Sequence, residues 1–121
     1  MANFIIKTTP TGTKFDLDIN GHIVLTSEVY TSLQACKNGI DSVKKNASLN
    51  KIDDLDVKGD EVTNPKFEVY KDKAGKFRFR LKASNGQVIA TSEDFKAKED
   101  CLKVIDLIVK NAQKAEILEQ D

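Results

Sequence analysis

Tryptophan is absent from the 121 residues, histidine occurs once, and cysteine and proline occur twice each. Two cysteines, Cys36 and Cys101, are too few for a secreted disulfide scaffold. Their spacing fits neither a metal knuckle nor a redox pair, so each is expected to pack as a small apolar residue. Long hydrophobic runs are also missing. Stretches such as Leu107-Ile108-Val109 are a few residues long, whereas a spanning helix needs about 20. The start, Met1-Ala2-Asn3-Phe4-Ile5-Ile6-Lys7, has no basic stretch leading into an apolar core, which predicts a cytoplasmic chain and no membrane. Excess charge is lacking as well: 19 Lys and Arg balance 19 Asp and Glu, which removes the long-range attraction for nucleic acid or anionic lipid. With 40% hydrophobic residues, the chain reads as one compact domain over residues 1–121.

The chain does contain a repeat of itself. Asn20-Gly21-His22-Ile23-Val24-Leu25-Thr26-Ser27-Glu28 lines up with Asn85-Gly86-Gln87-Val88-Ile89-Ala90-Thr91-Ser92-Glu93 at an offset of 65, and the register runs ungapped through Cys36/Cys101, Ile40/Ile105 and Asn46/Asn111. Over residues 20–47 against 85–112, eleven of 28 positions are identical, which marks a duplication. Upstream the match needs gaps. Phe15–Ile19 is matched to Phe77–Leu81, with three extra residues in the second connection, and Phe4-Ile5-Ile6 to Phe67-Glu68-Val69.

Each copy reads as three strands and a helix. Strand one is Phe4–Thr8 or Phe67–Lys71, and strand two the alternating segment Phe15–Ile19 or Phe77–Ala83. Asn20-Gly21 predicts a type I′ turn, and strand three is Ile23–Ser27 or Val88–Ser92. Helices follow at about 32–46 and 98–114, with Leu33, Cys36, Ile40 and Val43 on one stripe and Thr31 with Gln34 as a capping box. Asn50–Asp53 and Ala115–Glu119 could each add a strand. The divisions are repeat one, 1–54; a polar linker, 55–65; and repeat two, 66–121. Each copy is too small to support a core comfortably, so the two are expected to share one as a pseudo-dimer within the chain.

The run Phe77-Arg78-Phe79-Arg80-Leu81-Lys82-Ala83-Ser84-Asn85-Gly86-Gln87-Val88-Ile89-Ala90-Thr91-Ser92-Glu93, leading into a helix that ends in Lys110-Asn111, resembles the YegP-like family of small uncharacterised proteins. The first copy lacks Lys-Ala-x before its Asn-Gly, so its hairpin should be tighter. The resemblance implies an α+β fold of two β-β-β-α-β units forming one shared antiparallel sheet, with the helices on one face and the terminal strands exchanged between units. It brings no catalytic residues.

Candidate sites are few. The repeated triplets Thr26-Ser27-Glu28 and Thr91-Ser92-Glu93 could form paired polar sites, but their simplest role is to satisfy backbone groups where strand three ends. A serine nucleophile would need a base, and the only histidine, His22, falls in a hairpin tip. Asp53, Asp54, Asp56 and Asp60 lack the pattern of a calcium loop and read as a solvated acidic linker. No metal, cofactor or phosphate-cradling motif is assigned.

Strand two is more informative. Alternation puts Phe77, Phe79 and Leu81 inward and Arg78, Arg80 and Lys82 outward; in the first copy Phe15, Leu17 and Ile19 face in, and Asp16 and Asp18 out. The opposed rows are expected either to pair across the pseudo-twofold axis or to form a dipolar face for a charged peptide or nucleic-acid strand. Gly75-Lys76-Phe77-Arg78-Phe79 is faintly similar to the aromatic strand motif of RNA-recognition sheets, but inward aromatics cannot stack on bases, so nucleic acid is not expected as a partner. Where the first helix has Lys37, Ser42 and Lys44, the second has Leu102, Leu107 and Val109, a candidate surface for self-association or a protein partner. The expected function is a non-enzymatic binding or interaction module. The alternatives are a small-molecule enzyme at the Thr-Ser-Glu corners and a weak strand binder on the open sheet face.

Overall fold

The computed structural model describes residues 1–57, 59 and 61–120. Its elements, in chain order, are β1 (Ala2–Thr9), β2 (Gly12–Ile19), β3 (His22–Ser27), α1 (Leu33–Ala47), β4 (Ile52–Asp54), β5 (Lys66–Lys71), β6 (Phe77–Lys82), β7 (Val88–Thr91), α2 (Lys98–Asn111) and β8 (Glu116–Gln120), with a 3-10 turn at Ala112–Lys114. All eight strands form one sheet in the order β4-β5-β6-β7-β3-β2-β1-β8. The fold is α+β, with two helices and a mixed sheet. The expectation of an all-antiparallel sheet is corrected at both edges, where β4 runs parallel to β5 and β8 parallel to β1. Each of these outer strands follows a helix, and the helix returns the chain along the sheet so that it re-enters in the direction of its new neighbour.

Alternation dictates which face is covered. Phe4, Ile6, Phe15, Leu17, Phe67, Val69, Phe79 and Leu81 are buried on the face under the helices. Cys36, Ile40, Val43 and Ala47 of α1 and Cys101, Ile105 and Ile108 of α2, continued by Ala112, meet them at helical spacing in a single core. Leu33, expected on that stripe, is 43% exposed at the start of α1. Ser32 rather than Thr31 caps this helix, its hydroxyl accepting from the Ala35 N–H at 3.1 Å. Phe4 and Phe67 meet Phe15 and Phe79 edge-on, with centroids 5.7 and 5.9 Å apart. Tyr30 and Phe95 stack on the other side of the same two rings at 6.3 and 6.2 Å. Each such pair contributes about 0.5–1.5 kcal/mol beyond its buried area.

These contacts align Phe15 with Phe79, not with Phe77 as the sequence reading had it. Two further features agree. The Phe15 and Phe79 N–H groups both donate to a serine hydroxyl, Ser27 and Ser92 respectively, at 2.9 Å. Register shifts fall after Leu17 and after Leu81. Asp16 therefore corresponds to Arg80 and Asp18 to Lys82, and the second hairpin is longer by one residue rather than three. The first hairpin turns on Asn20 and Gly21, both at positive φ as a type I′ turn requires. In the second, Gly86 alone takes positive φ, its N–H donating to the Ala83 carbonyl.

Ser27 and Ser92 also donate, at 2.7 Å, to the carbonyls of Glu28 and Glu93. Each hydroxyl thus donates one bond and accepts another where strand three ends. Removing either one strands a buried N–H, so Ser27→Ala and Ser92→Ala should each cost about 1–3 kcal/mol in urea denaturation. A loss under about 0.5 kcal/mol, the level of an ordinary surface change, would contradict this role.

Candidate functional site

The charged rows do not meet. Asp16 pairs with Thr26, Thr26 with Thr91, and Thr91 with Arg80 across the sheet. Asp16 and Arg80 therefore stand three strand spacings apart, about 14 Å. Each row is instead neutralised within its own part of the sheet, which corrects the expected pairing across the axis. Lys7 reaches Asp16 at 2.9 Å, and the Asp18 carboxylate accepts from the Gly21 N–H in the hairpin. Arg78 bonds Asp72 at 2.9 Å, while Arg80 and Lys82 reach Glu68 at 2.7 and 3.5 Å. Lys66 joins Glu68 to Asp53 on β4, at 3.2 and 2.7 Å.

Burial works to raise the Glu68 pKa, but the hydrogen bonds from Arg80 and Lys66 outweigh it and hold the carboxyl below its ordinary value. Asp72 is likewise lowered, chiefly by its bond to Arg78. The opposite signs on equivalent strands thus reflect two local networks with their acids and bases exchanged.

The other candidates resolve similarly. Leu102 and Val109 pack against the core, leaving Leu107 as the exposed member of the α2 surface, at 39%. Lys98 bridges Asp54 and Asp56 at 2.9 and 3.1 Å, so that part of the acidic segment is paired rather than merely solvated; Asp60 lies outside the described residues. Both cysteines are buried and unpaired, and burial pushes the Cys101 thiol up to about 11. His22 is exposed at the first hairpin. Among the described residues, no three His, Cys, Asp or Glu side chains gather as metal ligands, and no helix is long and apolar enough to cross a membrane.

A groove that the sequence reading missed lies at the sheet's centre. β3 and β7 pair only through Thr26↔Thr91 and Ser27↔Ala90. Beyond Ser27 the chain stays with β2, Tyr30 exchanging both backbone bonds with Thr13 at 2.6 and 2.8 Å. Beyond Ala90, in the other direction, β7 stays with β6 through Lys82↔Val88. The sheet splits, and α1 borders the opening. The resulting groove, about 630 Å³, is lined by Glu28 and Tyr30 on one wall, by Ala35, Asn38, Gly39 and Ser42 of α1, and by Ala83, Asn85, Gln87, Val88 and Ile89 on the other wall. Its volume is in the range of small-ligand sites.

Gly39 permits this geometry, because a Cβ there would collide with the Tyr30 hydroxyl. Burial pushes the Tyr30 pKa up, with the neighbouring Cys36 and Glu28 adding to it, so the phenol stays protonated. In the second half the corresponding residues are Phe95, Val104 and Leu107 for Tyr30, Gly39 and Ser42. The hydroxyl is gone where the glycine is gone. At the opposite end of the β3–β7 joint a smaller hollow, about 220 Å³, is lined by residues including Val24, Ser92 and Glu93.

The family described as a domain of unknown function, DUF1508, matches residues 17–54 and 72–119. The chain belongs to the DUF1508 family. Similar proteins include a UPF0339 protein of Treponema denticola, 56% identical over 54 residues that cover 45% of this chain and 93% of that one. A UPF0339 protein of Methanosarcina acetivorans is 53% identical over 53 residues, 44% of this chain and 91% of that one. Two solution NMR structures share the fold of this DUF1508 chain. YegP of E. coli, a protein of unknown function, matches with a TM-score of 0.79 at 25% identity, covering 98% of this chain and 92% of its own. UPF0339 protein SO3888 of Shewanella oneidensis matches with 0.78 at 26%, covering 98% and 90%.

Two predictions follow from these networks. Glu68, depressed in the folded state, contributes stability that is complete above its ordinary pKa of 4.5 and is lost as pH falls through the lower folded value. Glu68→Gln should therefore cost about 1.5–3 kcal/mol near neutral pH, and in denaturant titrations the gap from wild type should narrow as pH falls below 4.5 and close beneath the lower folded value. Gly39→Val should cost about 1–3 kcal/mol by overpacking against Tyr30, and adding Tyr30→Phe should recover part of it. Strict additivity of the two changes would contradict the contact.

Proposed function

We propose that the chain is a cytoplasmic, non-enzymatic binding module, a pseudo-dimer of two tandem repeats (1–54 and 66–121, joined by 55–65) whose ligand site is the α1–β7 groove. The observation that carries this reading is the composition of the groove. Hydrogen-bonding side chains from both halves, Tyr30, Asn38 and Ser42 with Asn85 and Gln87, converge on a partly apolar floor. No nucleophile with an activating base is among them: the Ser42 hydroxyl accepts from the Asn46 amide at 2.9 Å, and His22 sits at the other hairpin. The serines of the Thr-Ser-Glu corners are occupied with backbone groups, which disfavours hydrolysis at those corners. The internally paired charges on the open sheet face disfavour a strand binder there.

The duplicated reading draws support from relatives that cover almost their whole length in one repeat's worth of residues. It also agrees with the placing of β4 beside β5 and β8 beside β1, each outer strand lying against the other repeat's first strand.

The test is an NMR titration of the ¹⁵N-labelled chain with a panel of neutral fragments: amides, sugars and short capped peptides. Shifts should centre on Tyr30, Asn38, Ser42 and Gln87, and should vanish in Ser42→Leu, which installs the residue that the second half carries. Shifts confined to the open sheet face, or chemical turnover of a fragment, would overturn the proposal.

A further inference from the structure

We infer that the groove takes a short, extended, non-acidic peptide segment by strand addition. This deepens the reading of the groove as the binding site and rests on it.

The argument begins with the backbone. In an extended chain the N–H and C=O of one residue point to the same edge, and successive residues alternate edges. Tyr30 directs both of its groups at Thr13 on β2. Val29 lies in a bulge, where three residues between Thr26 and Tyr30 face two between Thr13 and Asp16, and its own groups take no backbone partner among the described residues. On the far wall, Val88 and Ile89 continue past Ala90, the last residue of β7 in this direction that has a β3 partner. Two strand edges thus diverge around one gap: Val29 has no backbone partner among the described residues, and Val88, which keeps Lys82 of β6 as its neighbour, has no β3 partner on its other side. Edges of this kind are templates for an added strand, and main-chain bonds then provide affinity while side-chain pockets provide selectivity.

The lining matches the same ligand. Asn38, Asn85 and Gln87 carry carboxamides, which both donate and accept, as a peptide backbone does. Asn38 and Asn85 each use only an acceptor oxygen in the bonds they make within the protein, to the Gln34 amide and the Gln87 N–H, which leaves their NH2 groups as donors. Glu28 is the sole charged residue of the lining, so a segment bearing carboxylates is repelled. Gly39 lets the Tyr30 hydroxyl sit against α1, where a Cβ would collide with it. The corresponding positions of Gly39 and Ser42 in the second half, Val104 and Leu107, are larger, so this arrangement belongs to the α1 side of the molecule.

Three capped tetrapeptides separate the possibilities: Ac-Ala-Thr-Ala-Ser-NH2, the same sequence N-methylated at alternate amides, and Ac-Ala-Asp-Ala-Glu-NH2, with maltose as a non-peptide probe of the groove. The neutral peptide should shift the groove resonances and slow hydrogen exchange at the Val29 amide. N-methylation on the edge-facing side should weaken binding about tenfold or more, and the acidic peptide should not bind detectably. Ser42→Leu should abolish the effect, and Gln87→Ala, which leaves the helix untouched, should weaken it several-fold. Equal binding of the methylated peptide, or groove shifts with no change in exchange at Val29, would overturn strand addition while leaving the groove a binding site. Groove shifts from maltose alone would also exclude the peptide and keep the site. If no probe of either kind perturbed the groove, both the peptide and the binding reading would fall.

Discussion

The joint between β3 and β7 constrains the rest of the structure. An eight-stranded sheet is held at its middle by two residue pairs, Thr26↔Thr91 and Ser27↔Ala90, while the β1–β2 and β5–β6 ladders, one strand further out on either side, run eight and six pairs. A joint so short cannot by itself hold the two sides in one cooperative unit. The cohesion comes from elements that cross it. Helix α1 touches β2 on one side and β5, β6 and β7 on the other, and α2 touches both β2 and β6. The strand after α2 joins β1, and Lys44 of α1 donates to the Ala115 carbonyl just ahead of that strand at 3.0 Å. The buried core is continuous across the joint, so the apolar driving force is shared even though the backbone ladder nearly stops.

The same constraint produces the groove. With pairing confined to two residues, β3 and β7 part at both ends, and the side chains beneath decide whether the opening is filled. On the α1 side the space beside Gly39 is taken by the Tyr30 hydroxyl, and the small Ser42 lines the groove that stays open. The opposite end keeps a smaller hollow, lined by residues 23–26 and 91–93. The two halves of the chain thus differ where the strands part, and at the positions matching Gly39 and Ser42 the second half carries the larger Val104 and Leu107. The electrostatics follow the same logic: Asp16 with Lys7, and Arg80 with Glu68, give neutral patches of opposite arrangement on either side of the joint.

Much of the framework was legible in the sequence. The offset of 65, the Asn20-Gly21 turn, the alternation of strand two and the stripes through Cys36 and Cys101 located nearly every element within two or three residues. The matching of Phe15 to Phe77 failed for a definite reason. Side-chain alternation has a period of two, so a slip of two residues keeps every aromatic inward and every charge outward. Only the partners of Phe15 and Phe79, the two serine hydroxyls and the two stacked rings, distinguish the registers. The charge partners were hidden for the same reason, because cross-strand neighbours depend on register. The groove was hidden because it arises from strands diverging, which no local pattern encodes. A usable signal did exist in the paired exchange of Tyr30 and Gly39 for Phe95 and Val104, since a lost hydroxyl and a gained side chain at equivalent positions mark a contact.

Hydrogen exchange on the free chain tests the central claim, that the sheet opens beyond Ser27 and Ala90 into unpaired edges, without needing any ligand. The Val29 amide should exchange nearly as fast as an unstructured one, while amides within the β1–β2 and β5–β6 ladders should exchange only through global unfolding. Protection of Val29 equal to that of the ladder amides would show that the edge is already paired, and would contradict both the split sheet and the groove built upon it.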